Sequence, residues 1–170
     1  MNRTAVGEKI PARTGSTQAH AMSWGRTVAC CFVAGLIQFL VGYLFYKAVP
    51  VVAPAISQQY ENAALFRPWA GWTSTYMFFH PFGYGVVFAL AYCGLRSWCA
   101  FPSGWRGGCA FGAGVFLVGS LPIFLIAYAS FTVSVEVIAS WVLQNACQYL
   151  LSGASVGVVA DLRGTGGRSR

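Results

Sequence analysis

One segment near the C-terminal end of this chain repeats a polar residue at every fourth position: Glu136, Ser140, Gln144, Gln148 and Ser152. Residues four apart share a helix face, so the repeat lines a carboxylate, two amides and two hydroxyls along one side of a single helix. Each step of four advances about 40°, so the stripe winds by roughly 160° and meets more than one neighbour. Tyr76, His80 and Tyr84 have the same spacing, with Pro81 directly after the histidine. Together with Gln38 and Tyr43 these residues form the candidate polar site. The chemistry open to them is hydrogen bonding and proton exchange at the imidazole. No carboxylate pair, nucleophile with a base, or metal-ligand spacing points to an enzyme.

The elements that position these groups are long apolar runs. The chain has 170 residues, 56% hydrophobic and only 9% charged, against roughly 25% charged in soluble domains. Mean hydropathy is +0.58, which places the chain in a bilayer. A net charge of +7 in a soluble protein would suggest nucleic acid, but the charges lie in the gaps and tails, so no nucleic-acid partner is expected.

Four runs qualify as spans: 27–48, 73–95, 108–129 and 133–160. About 20 residues at 1.5 Å each cross a hydrocarbon core of roughly 30 Å. Lipid-exposed backbone must satisfy its own hydrogen bonds, so the spans are helices. The expected fold is all-α: an integral membrane four-helix bundle over 27–160, with an outer loop at 49–72 and polar tails at 1–26 and 161–170.

Charge sets the orientation. Arg3, Lys9, Arg13, Arg26, Arg96, Arg106, Arg163, Arg168 and Arg170 fall on the side of the termini, and only Lys47 and Arg67 on the other. By the positive-inside rule both termini are cytoplasmic and the protein is a multi-pass component of the cell inner membrane. The competing reading is a signal peptide cleaved near Ala53-Pro54-Ala55, but the polar leader and the apolar run are both too long for one.

Pro50, Pro54 and Pro68 bracket the outer loop, where 55–66 has the makings of a short interfacial helix. Trp69, Trp72, Trp98 and Trp105 flank spans, the usual place of aromatic anchors. Gly108 with Gly112, and Gly153 with Gly157, are small residues four apart that let backbones approach, within the bundle or between protomers. Pro122 should kink the third span by removing a backbone donor and crowding the Val118 carbonyl.

Two readings of the polar groups stand side by side. In the first they join helices, with Gln38 and Gln144, each near mid-span, bonding one another; such contacts are worth about 0.6 to 2 kcal/mol. In the second they line a polar path. Counting helical rises puts His80 about 10 Å and Glu136 about 5 Å below the outer surface, so Tyr43, Tyr76, His80, Glu136 and Ser140 define a candidate outer-half layer.

Cys30, Cys31, Cys93, Cys99 and Cys109 cluster at the cytoplasmic side, where disulfides are not expected. Cys147 falls within the fourth span and reads as packing. The vicinal Cys30-Cys31 resembles the pair in the first helix of bacterial mercury transporters, a resemblance confined to those two residues. A soft metal ion at these thiols is the alternative to small apolar cysteines in helices, and the chain is read as carrying no cofactor or metal.

Leu65-Phe66-Arg67-Pro68, Trp105-Arg106-Gly107-Gly108 with Phe111-Gly112, and Gln148-Tyr149 with Gly153 and Gly157 give the chain a further likeness over about 27–160. In these features it resembles uncharacterised bacterial four-helix inner-membrane proteins, a resemblance that implies the topology and no activity. The expected function is that of a non-catalytic membrane subunit or accessory protein, partnered by lipid and by other subunits or copies of itself. The alternative is a small oligomeric transporter or pore built on the polar stripe.

Overall fold

The computed structural model describes residues 22–62, 64–66, 71–99 and 101–162. The two tails, Arg67, Pro68 and the proposed anchor Trp69 lie outside these residues. The described residues are helical and turn structure, without strands. In chain order the helices are α1 (Trp24–Val52), α2 (Pro54–Tyr60), α3 (Trp72–Leu95), α4 (Trp105–Val115), a π-helical turn (Phe116–Ser120), α5 (Leu121–Ser130) and α6 (Val135–Asp161).

Three helices are long and apolar enough to cross a membrane. They are Trp24–Val52, Ser74–Leu95, and the continuous stretch Trp105–Ser130 formed by α4, the π turn and α5, with mean hydropathies of 2.2, 1.4 and 2.2. The chain is thus an all-helical protein with three candidate membrane-spanning helices. Helix α6 is as long, at 27 residues, but Gln144, Asn145 and Gln148 in its middle lower its hydropathy and leave it out of that set.

The order of packing follows from where the small residues fall. Helix α6 lies between α1 and α4, and α1 packs on its other side against α3. At the α4–α6 crossing, a Cβ on Gly108 would overlap the Gly153 carbonyl, and one on Gly112 the Tyr149 carbonyl. Gly153 and Gly157 stand in the same relation to the carbonyls of Gly108 and Gly104. Both glycine pairs therefore meet each other inside this one chain, where only hydrogen fits. Gly85 and Gly35 make a second such crossing between α3 and α1.

Around these crossings Cys30, Ala34, Phe88, Ala89, Tyr92, Phe111, Tyr149, Val156 and Ala160 form one buried core. Phe88, Tyr92 and Tyr149 are in ring contact with one another or with Phe111, with Phe88 and Phe111 centroids 5.0 Å apart. Beyond the core, Arg96 and Asp161 form an ion pair, and Asp161 also accepts the Gly104 amide.

The distortion expected from Pro122 falls at the carbonyl that its ring crowds, since Val118 lies within the π turn. The missing donor and the crowding ring are absorbed by the π turn just before Leu121, which keeps α4 and α5 one stretch. Past this turn α5 and α6 diverge, leaving an apolar cleft of about 530 Å³ between Leu121, Phe124, Val135, Val142 and their neighbours. The interfacial helix is shorter than expected: α2 stops at Tyr60.

Candidate functional site

The polar stripe of α6 is divided among neighbours along its length. At its N-terminal end Ser134 caps the helix, its Oγ accepting from the Val137 amide at 3.4 Å, and the Ser134 amide donates to Gln59 Oε1 of α2, also at 3.4 Å. One turn on, Ser140 Oγ donates to the Val137 carbonyl at 2.7 Å and lies 3.3 Å from the Tyr60 hydroxyl. Trp141 Nε1 donates to that hydroxyl at 2.6 Å. Helix α2 thus lies over the N-terminal end of α6, its tyrosine meeting the stripe.

In the middle, Gln148 Nε2 donates to the backbone carbonyl of Gln38 at 2.9 Å. Room for it comes from Gly42: a Cβ there would stand 3.2 Å from Gln148 Nε2 and 3.6 Å from Gln144 Nε2. The expected pairing of Gln38 with Gln144 is replaced by this contact, in which α1 contributes its main chain. The Gln38 amide nitrogen is buried without a partner among the described residues, as is Ser152 Oγ. The absent Cβ of Gly42, which leaves space beside both glutamines, makes no periodic mark in the sequence.

Tyr149 is the residue the fourfold repeat passes over. Its hydroxyl accepts from Ser120 Oγ at 2.9 Å and is hydrogen-bonded to the Tyr84 hydroxyl, and its ring is only 4% exposed. The network ties α3, the π turn and α6 together. Of the candidates Tyr76, His80 and Tyr84, only Tyr84 therefore points into the bundle. The signal available in the sequence was a tyrosine on the buried side of a helix, whose hydroxyl needs a partner.

Tyr76 and His80 face away from the bundle. Tyr76 is 67% exposed, its ring stacked on the imidazole at 5.6 Å, and His80 Nδ1 is 3.2 Å from the Met77 carbonyl. Because a carbonyl only accepts, Nδ1 is the protonated nitrogen. Tyr43 is exposed on α1, with Lys47 over its ring and over that of Tyr46. Glu136 is exposed at the first turn of α6.

The structure does not bring Tyr43, Tyr76, His80, Glu136 and Ser140 into one layer. Phe39 of α1 is in ring contact with both Phe78 and Phe82, so His80 is level with Phe39, beside the Gln38–Gln148 contact. That is the level of the middle of α1 (Trp24–Val52).

The thiols serve as weak donors to helix carbonyls. Cys30 Sγ reaches the Val156 carbonyl and Cys31 Sγ the Val86 carbonyl, both at 3.9 Å, and Cys109 Sγ reaches that of Leu150 at 3.6 Å. Cys30 thus turns to α6 while its thiol also meets that of Cys93 on α3, and Cys31 turns to α3. The described cysteines are all free.

No protein-family model, curated protein or solved structure matches the chain. The class defined by fold and site is that of a helical membrane-embedded protein whose inward-facing polar side chains join its own helices.

Proposed function

We propose that this chain is a four-span protein of the cell inner membrane with both termini cytoplasmic, acting as a non-catalytic membrane subunit or accessory protein. Helix α6 is the fourth span in this reading. It is long enough, and it is flanked by two helices that are themselves fit to cross the bilayer, so its polar centre is shielded by protein.

The observation that carries the functional reading is the Gln148 contact. An amide in hydrocarbon without a partner costs several kcal/mol, and this one is committed to the main chain of α1. With Ser140 held under Tyr60, the stripe is a helix-joining device.

A transporter or pore is the second reading, favoured by the buried and unpartnered Gln38 Nε2 and Ser152 Oγ, each of which has capacity for a water.

Reporter fusions after residues 25, 100 and 165 should report cytoplasm, and fusions near residues 60 and 131 the exterior. An exterior signal at residue 100 overturns the topology. Loss of a solute flux in proteoliposomes on replacing Gln148 would transfer support to the second reading.

A further inference from the structure

Helix α3 carries a second periodicity that the bundle does not use. Tyr76, His80, Gly83, Val87, Leu90 and Gly94 follow one another at alternating steps of four and three, the spacing of a seam between two supercoiled helices. Every one of them is exposed, with Val87 at 68%. A Cβ on Gly83 or Gly94 would meet nothing within 4 Å. The seam lies on a span and carries an imidazole at mid-bundle depth, where an unsatisfied ring nitrogen in hydrocarbon is costly.

We propose that this face of α3 packs against α3 of a second copy of the chain, in a parallel two-fold dimer whose axis runs along the membrane normal. The occupant is argued from hydrogen-bonding complementarity. With Nδ1–H turned to the Met77 carbonyl, His80 offers Nε2 as an acceptor, and Tyr76 one turn away offers a hydroxyl donor. Copies in one membrane share an orientation, and a two-fold interface brings His80 of each copy beside the partner's His80, with the partner's Tyr76 one turn, about 6 Å, along the axis. The long tyrosine side chain spans that turn, so Tyr76 of each copy donates to the partner's His80 and both needs are met twice.

A head-to-tail arrangement lacks this reciprocity: set against α1, for instance, His80 would meet the exposed Tyr43, one turn from Phe39, but the same bond would not be made twice. Gly83 removes the side chain that would hold the two helices apart beside His80.

The proposal rests on the reading of α3 as a span and needs no assumption about α6. The test is disulfide cross-linking in membranes with copper phenanthroline as oxidant, in the full chain carrying Cys99→Ser. Gly83→Cys and Val87→Cys should give covalent dimers, whereas Val118→Cys and Leu143→Cys should stay at the level of the Cys99→Ser background. His80→Phe or Tyr76→Phe should weaken association about tenfold in lipid dilution, as expected for losing a symmetric pair of interhelical bonds. The double variant should be no weaker than either single one, because both remove the same bonds. Cross-linking that is equal at Val118→Cys, or absent at Gly83→Cys and Val87→Cys, overturns the seam, as does unchanged association of His80→Phe. Fusions near residues 60 and 100 separate the two failures: the same side for both means α3 does not span, and opposite sides leave the membrane reading intact.

Discussion

Gln148 Nε2 of α6 donates to the main-chain carbonyl of Gln38 in α1, while the Gln38 side-chain amide, buried in the same place, has no partner among the described residues. The two glutamines are therefore unequal. Gln148→Leu removes an interhelical bond and should destabilise by about 0.6 to 2 kcal/mol. Gln38→Leu removes an orphaned amide and leaves the carbonyl in place, so it should be neutral or stabilising. Unfolding in mixed micelles measures both. Equal losses, with strong coupling in the double variant, would restore a side-chain to side-chain pair.

The glycine crossing gives a prediction with an internal control. A Cβ on Gly153 would overlap the Gly108 carbonyl, whereas one on Gly114 would meet nothing within 4 Å. Gly153→Ala must separate α4 from α6 and should cost about 1 to 3 kcal/mol, as overpacking does. Gly114→Ala should be harmless or slightly stabilising, because the methyl group is free and the helix propensity improves. Thermal unfolding of the two variants side by side decides it. A loss at Gly114 equal to that at Gly153 would mean that both act through another contact.

The Tyr149 network should rank its members by burial. Tyr149→Phe leaves Ser120 Oγ and the Tyr84 hydroxyl without their common partner and should cost about 1 to 3 kcal/mol. Tyr84, itself 42% exposed, should cost less when replaced by Phe. Urea or SDS titration of each single variant orders them, and Tyr84→Phe as the larger loss would contradict the geometry.

How far the sequence could be read differs from residue to residue. The long apolar runs were legible as helices because lipid-facing backbone must bond to itself, and the third, expected as a span at 108–129, lies within the Trp105–Ser130 stretch. The stripe on α6 was legible as a face, but a periodicity names a face and never its partner. Gln148 meets α1 through the vacancy at Gly42, and Tyr149 works from one residue off the repeat. Counting rises places His80 only on the premise that α3 starts at the membrane surface, whereas its level against α1 is fixed by Phe39 between Phe78 and Phe82. Asp161, which holds both Arg96 and the Gly104 amide, gave no signal, since a lone carboxylate after an apolar run looks like any helix end.

That double duty makes the contributions of Asp161 and Arg96 unequal. Arg96→Met removes a partly exposed ion pair, which at about 0 to 1 kcal/mol is a small loss that shrinks further in high salt. Asp161→Ala removes the pair and also the acceptor of the Gly104 amide, so it should cost more, and part of that cost should persist in high salt. Stability measured at low and high ionic strength separates the two. Identical salt dependence for both variants would show that the amide contact contributes nothing.

The cysteines report orientation and burial in one measurement. Cys99 is exposed in the turn after α3, while Cys30 is 0% exposed, its thiol turned to the Val156 carbonyl. With both termini cytoplasmic, a membrane-impermeant maleimide should label neither residue in intact cells, since the turn holding Cys99 then lies inside. Once the membrane is permeabilised, Cys99 should react fast. Cys30 should wait for unfolding, because no reagent reaches a thiol packed between α1 and α6. The order of labelling tests the packing, and the sidedness tests the topology, so the two can fail separately. Rapid labelling of Cys99 in intact cells inverts the orientation but leaves the bundle as described. Rapid labelling of Cys30 after permeabilisation, before any loss of helical structure, would instead mean that the α1–α6 contact opens in the native protein.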